Sequence, residues 1–87
     1  MHSRDVDRMR AREAYRLIVR RGGLMPAILA DHERVDHVEI VEVDSGEVVL
    51  YWDCPAQRAR QLVRMLREEL SQMEAADFLD RWIAVSD

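Results

Sequence analysis

The segment "VDHVEIVEVDSGEVVLYWD", residues 35–53, decides the fold, because it contains two apolar runs separated by a turn. Both runs are rich in valine, isoleucine and aromatic residues, which favour β-strands. Between the runs, Gly46 can take the left-handed conformation that a short hairpin loop with a bulge requires. We therefore predict an antiparallel hairpin over about residues 36–52, with a three-residue loop at 44–46 and Val43 opposite Glu47.

This register predicts which side chains share a face of the hairpin. One face is a core layer in which Val38 lies opposite Trp52, and it consists of Val38, Ile40, Val48, Leu50 and Trp52. The other face also carries apolar residues, and we interpret it as a possible interface formed by Val41, Val43, Val49 and Tyr51. Because two strands alone leave exposed edges, we expect a further element or a second subunit to cover them.

Three helices are predicted around the hairpin. The first covers about residues 5–21, where apolar residues recur at helical spacing before a pair of glycines that ends the helix. The second covers about 55–70 and starts with a proline, which is favoured in the first turn. The third covers about 72–84, and the capping-box spacing of Ser71 and Glu74 indicates a break between the last two helices.

The fold class follows from the order of these elements. Residues 24–34 fit either a short helix or a third strand, and the sequence leaves both possibilities open. The order α–(short element)–β–β–α–α predicts a small single α+β domain, in which an antiparallel hairpin packs against helices. Trp52, Phe78 and Trp82 are the expected aromatic residues of the core.

Charge is distributed unevenly along the 87 residues. The net charge is -4, and all thirteen basic residues are arginine, which is typical of a GC-rich bacterial genome. Residues 1–23 carry seven arginines against three acidic residues, whereas residues 24–87 carry six against fourteen. A basic N-terminal segment (+4) therefore precedes an acidic body (-8).

The most regular feature of the basic segment is an arginine at every fourth position, including Arg4, Arg8, Arg12 and Arg16. On the predicted helix this stripe lies opposite the apolar face. It is interpreted first as a solvated or internally paired surface, and alternatively as a contact with a protein partner or with the phosphates of a nucleic acid. The acidic net charge disfavours nucleic acid, since domains that bind it are usually basic.

Other arginines fit the helical pattern less simply. Arg10 and Arg21 fall near the centre of the predicted apolar arc of the first helix, where a charged side chain is out of place. Arg60, Arg64 and Arg67 share the outer face of the helix at 55–70, and we interpret them as solvated surface.

Motifs that would indicate catalysis or cofactor binding are lacking from the sequence, so no catalytic, cofactor or metal site is predicted and an enzyme is not expected. Cys54, at the start of a predicted helix, is the candidate for a reactive thiol, and His37 would approach it if Val38 faces Trp52. A buried structural cysteine is the favoured interpretation. The cluster around His32 and His37 matches no metal-binding spacing.

These observations lead to an expectation about function. Neither a secretion signal nor an apolar stretch long enough to span a bilayer is recognised in the sequence. We expect a cytoplasmic protein-binding or regulatory module without a cofactor or a membrane partner, acting as a homodimer. The alternative is a nucleic-acid-associated protein that uses the arginine-rich N-terminal segment.

Overall fold

The structure, a computed structural model, describes residues 9–22 and 35–85. In chain order its elements are α1 (Ala11–Ala14), β1 (Tyr15–Arg20), β2 (Val35–Glu42), β3 (Val48–Pro55), α2 (Ala56–Gln72) and α3 (Ala75–Val85). These form a small single α+β domain, which confirms the predicted fold class. The alternatives for residues 24–34, and the start of the predicted first helix at 5–8, lie outside the described residues.

The three strands form one antiparallel sheet in the order β1-β2-β3. β1 pairs with β2 from Tyr15 opposite Glu42 to Arg20 opposite His37. The edge of the predicted hairpin is thus covered by the segment that immediately follows α1. Beyond β1, a Cβ atom at Gly22 would overlap the carbonyl group of Val35, so glycine is required where the chain passes the start of β2.

The predicted helix over about 5–21 is wrong at residues 15–20, where the chain forms β1. Only Ala11–Ala14 is helical in the described part of this segment. Tyr15, Leu17 and Val19 alternate with Arg16, Ile18 and Arg20, which is the two-residue period of a strand. Pairing with β2 decides the conformation, because a stretch of six residues joins the hydrogen-bonded ladder and covers an open edge.

The hairpin has the predicted alignment at its centre, where Val38 lies opposite Trp52 and Ile40 opposite Leu50. Gly46 takes the predicted left-handed conformation, with φ of 76°. The loop is longer than predicted, since the Glu42 N–H donates to the Glu47 carbonyl oxygen at 2.8 Å.

A bulge near this loop changes the faces of two valines. The register shifts between Ile40 and Val41, so that Val41 lies opposite Val48 rather than Val49. Val48 is consequently 49% exposed, and its predicted place in the core is wrong. Val49 is half-buried and packs against the core, which corrects its predicted place on the outer face. A bulge places two residues opposite one, and the sequence pattern did not indicate this one.

The core lies between the sheet and the helices α2 and α3. Val38, Ile40, Leu66 and Phe78 are its largest fully buried side chains. Its aromatic contacts join the layers: Tyr15 on β1 meets Phe78 with ring centroids 5.8 Å apart, and Trp52 on β3 meets Trp82 edge-on at 5.6 Å. The expected core roles of Trp52, Phe78 and Trp82 are confirmed, with Trp52 only half-buried.

The break between the last two helices is where the N-terminal segment packs. The Ala11 N–H donates to the Met73 carbonyl, and the Ala75 N–H donates to the Met9 carbonyl. Arg10 is exposed, and its Nη1 donates to the carbonyl oxygen of Gln72, the last residue of α2, at 3.3 Å. Arg10 therefore binds a helix C-terminus, where free carbonyls favour a cation. None of the helices in the described residues is long and apolar enough to cross a membrane.

Candidate functional site

One face of the sheet packs against α2 and α3, and the opposite face, here called the open face, is a grid of nine residues. Its three rows run across the strands: Arg16–Val41–Val48, Ile18–Glu39–Tyr51 and Arg20–His37–Asp53. Residues directly opposite each other in an antiparallel sheet project to the same side, so the register defines this surface. It contains four apolar or aromatic side chains and five charged or titratable ones.

The charges of the open face are separated by strand. Arg16 and Arg20 lie on the edge strand β1, and Asp53 lies on the opposite edge strand β3. On the central strand β2, Glu39 forms an ion pair with Arg20, whose Nε atom lies 3.6 Å from the Oε1 atom of Glu39. The Arg20 side chain is 69% exposed and that of Glu39 only 13%, so most of the arginine stays accessible. The face is therefore basic along one edge and acidic at the other.

A polar cluster occupies the acidic end of this face. The Nδ1 atom of His37 contacts the Asp53 carboxylate and lies 2.8 Å from the Tyr51 hydroxyl oxygen. The hydrogen bond donated by Tyr51, followed by that from His37, lowers the pKa of Asp53 below its ordinary value. The same hydrogen bond to Asp53, together with desolvation, raises the pKa of Tyr51. Asp53 is thus held as an anion beside an aromatic ring that is 48% exposed.

The sequence-based prediction missed this cluster as a unit. His37 and Asp53 are opposite each other in the register, and Tyr51 is two residues from Asp53 on the same face. The predicted hairpin alignment already implied this juxtaposition, so cross-strand pairing was the signal that could have found it.

The predicted interface residues occupy three different environments. Val41 and Tyr51 lie on the open face, and Tyr51 is exposed whereas Val41 is half-buried. Val43 is 48% exposed in the loop after β2, and its N–H donates to the Ala14 carbonyl oxygen at 2.9 Å. Val49 packs against the core, as described above. Only Val41 and Tyr51 therefore belong to one continuous surface.

The predicted arginine stripe is not continuous in the structure. Arg12 is exposed on α1, whereas Arg16 lies on the open face of β1. Arg4 and Arg8 lie outside the described residues. Because the chain changes from helix to strand at Tyr15, a spacing of four residues no longer winds around a helix. In a strand it places Arg16 and Arg20 on the same face instead.

Cys54 is a buried free thiol with 7% exposure. Burial raises its pKa, while the positive charge of Arg58 acts in the opposite direction. His37 pairs with Asp53, one residue before Cys54, and so projects to the other face of the sheet. The predicted approach of His37 to Cys54 is therefore wrong, and the thiol lacks the lowered pKa of a catalytic cysteine.

A second surface feature lies on the helix side of the sheet. A cleft of about 470 Å³ opens between α2 and the end of β1, and its lining includes Arg21, Arg60, Arg64 and Arg67. All four arginines are exposed. Alternate side chains of β1 project toward α2, and Arg21, directly after β1, continues this alternation. Its position in the predicted apolar arc of a helix is therefore explained, because the segment is a strand.

Within residues 9–22 and 35–85, no group of three or more histidine, cysteine or acidic side chains is arranged to hold a metal ion. No protein-family model matches the sequence, and neither a curated protein nor a solved structure shows significant similarity to it.

Proposed function

We propose that this protein is a small protein-binding or regulatory module of a bacterial cytoplasm, and that it acts as a homodimer joined through the open face of the sheet. The observation that carries the proposal is the charge pattern of that face, which has two arginines on β1, an aspartate on β3 and apolar or aromatic side chains on all three strands. A surface that combines both signs in this way is complementary to itself.

The charge pattern selects one way of stacking two copies. If the two-fold axis runs parallel to β2, the β1 strand of one copy lies over the partner's β3 strand. Arg20 then faces the partner's Asp53, and Ile18 faces the partner's Tyr51, at the same level along the strands. If the axis instead runs across the strands, β1 lies over the partner's β1 and like charges meet. Both arrangements keep the strands of the two sheets nearly aligned, as face-to-face packing requires, so the charges decide between them.

Glu39 lies at the centre of the stacked faces and approaches the same residue of the other copy. Its side chain is largely covered within one protomer, and its charge is offset by Arg20. The apolar contribution comes from the exposed parts of Ile18, Val48 and Tyr51, with tyrosine well suited to an interface because its ring is apolar and its hydroxyl polar.

Sedimentation velocity over a concentration range from about 1 to 200 μM tests the proposal. We expect a reversible monomer–dimer equilibrium that shifts toward monomer when salt screens the interfacial charges. The variant Tyr51→Arg places a third cation on the open face and should abolish the dimer, whereas Met65→Arg, at an exposed position on α2, is the matched control. A wild-type protein that remains monomeric at 200 μM contradicts the proposal.

A further inference from the structure

We propose that the cleft between α2 and the end of β1 binds a small organic phosphate. Its four arginines come from two elements: Arg60, Arg64 and Arg67 from α2, and Arg21 from the segment after β1. On α2 the spacing of four and then three residues places all three side chains along one face of the helix. Guanidinium groups bind phosphate oxygens in bidentate geometry, so this is a favourable donor set for a dianion.

Among the described residues of the lining, the four arginines outnumber the acidic side chains. Among the described residues, none of these four arginines takes part in an ion pair. Within the described part of the lining the acidic residue is Asp36, which is 4% exposed and accepts a hydrogen bond from the Gly22 N–H at 3.2 Å. Four cations that share one cleft repel one another, and a bound dianion relieves that repulsion.

The size and the remaining lining favour a small molecule. A volume of about 470 Å³ lies within the range of small-molecule sites, roughly 300–1,000 Å³. Val19, Ala59 and Val63 provide an apolar wall next to the arginines, which suits an organic group attached to the phosphate. A nucleic acid needs a longer basic track, but Arg16 and Arg20 project from the opposite face of the sheet.

The inference is independent of the proposed dimer, because the cleft is formed on the helix side of the sheet and the dimer uses the open face. Failure of one proposal leaves the other intact. The variants below should not change the sedimentation behaviour, and the variants of the open face should not change phosphate binding.

Titration of the full chain with AMP, phenyl phosphate and inorganic phosphate, followed by ¹⁵N–¹H NMR, tests the inference. We expect saturable binding of both organic phosphates with dissociation constants below about 1 mM, and weaker binding of inorganic phosphate. The shifted amide signals should cluster at residues 19–22 and 59–67. The double variant Arg60→Gln/Arg64→Gln should weaken binding at least about tenfold, since it removes two charge-assisted contacts.

Arg12→Gln is the matched control, because it removes an exposed arginine that does not line the cleft. Equal weakening by this control would indicate non-specific attraction and overturn the proposal. Saturation that is not reached at 10 mM for either organic phosphate also overturns it. So does binding of a twelve-nucleotide single strand or duplex more than about tenfold tighter than AMP, because the basic residues then form a nucleic-acid surface.

Discussion

Asp53 is the residue whose ionisation most directly links the open face to stability. The hydrogen bonds from Tyr51 and His37 lower its pKa in the folded protein below the ordinary 3.8. A lowered pKa contributes stability that is present above pH 3.8 and is lost as the pH falls through the folded value. The contribution of Asp53 is therefore expected to disappear only in strongly acidic solution.

The variant Asp53→Asn should lose less stability than the wild type between pH 5 and pH 2, because it has no carboxylate to protonate at this position. Urea unfolding at a series of pH values measures the difference. The remaining carboxylates titrate in both proteins, so the comparison isolates Asp53. Parallel stability curves for the two proteins would show that the hydrogen bonds do not stabilise the ionised form.

Cys54 provides a second test at the residue scale. Because its thiol is buried and its pKa is raised, little reactive thiolate is present near neutral pH. Iodoacetamide should modify the native protein at pH 7 at least about tenfold more slowly than the protein unfolded in urea. Equal rates in the two states would mean that the thiol is accessible and would restore the case for a reactive cysteine.

At the scale of elements, Glu69 on α2 holds α3 in place. It accepts a hydrogen bond from Trp82 Nε1 at 3.1 Å and forms an ion pair with Arg81 at 2.7 Å. Trp82 is 4% exposed, so loss of its acceptor leaves a largely buried N–H group without a partner. We expect Glu69→Ala to lower the free energy of unfolding by about 1–2 kcal/mol, mostly through this hydrogen bond.

Glu68→Ala is the control for this prediction, since Glu68 is the adjacent carboxylate and its side chain is exposed. Chemical unfolding of both variants beside the wild type provides the measurement. A loss for Glu69→Ala no larger than that for Glu68→Ala would show that packing of the Trp82 ring, rather than its hydrogen bond, joins the two helices.

The elements differ in how well the sequence predicts them. Helix α2 and the hairpin were recognised because their apolar residues follow one period each and turn residues bound them. The sequence pattern predicts a helix at 15–20, because "YRLIVR" fits both periods and its conformation depends on a distant partner, β2. The bulge at Val48 and Val49 was missed for a related reason, since it depends on how the loop closes.

The open face and the basic cleft are likewise only partly predictable from the sequence. The strand pattern predicts that Val41 and Tyr51 lie on an outer face, but it does not predict that Arg16 and Arg20 lie there too, since their segment fits a helix. The stripe Arg60, Arg64 and Arg67 was recognised on α2 and interpreted as solvated surface. Only the position of β1 brings Arg21 beside these three arginines and encloses the cleft. Tertiary pairing, not local pattern, assembles each candidate site.

At the scale of the whole molecule, the sheet separates two surfaces with different properties. The helix side contains the core and the basic cleft, and the open face carries charges of both signs. A homodimer joined through the open face leaves both clefts accessible to a small ligand. This arrangement would allow one chain to combine self-association with ligand binding.

The most direct test of the central claim exchanges charges between the two edges of the open face. The variants Arg20→Asp and Asp53→Arg each create like-charge contacts across the proposed interface, so each alone should be monomeric by sedimentation velocity. In an equimolar mixture, every exchanged residue faces an opposite charge, and we predict that a heterodimer forms. A wild-type dimer with no heterodimer in the mixture, or variants that dimerise alone as well as the wild type, would contradict the face-to-face arrangement.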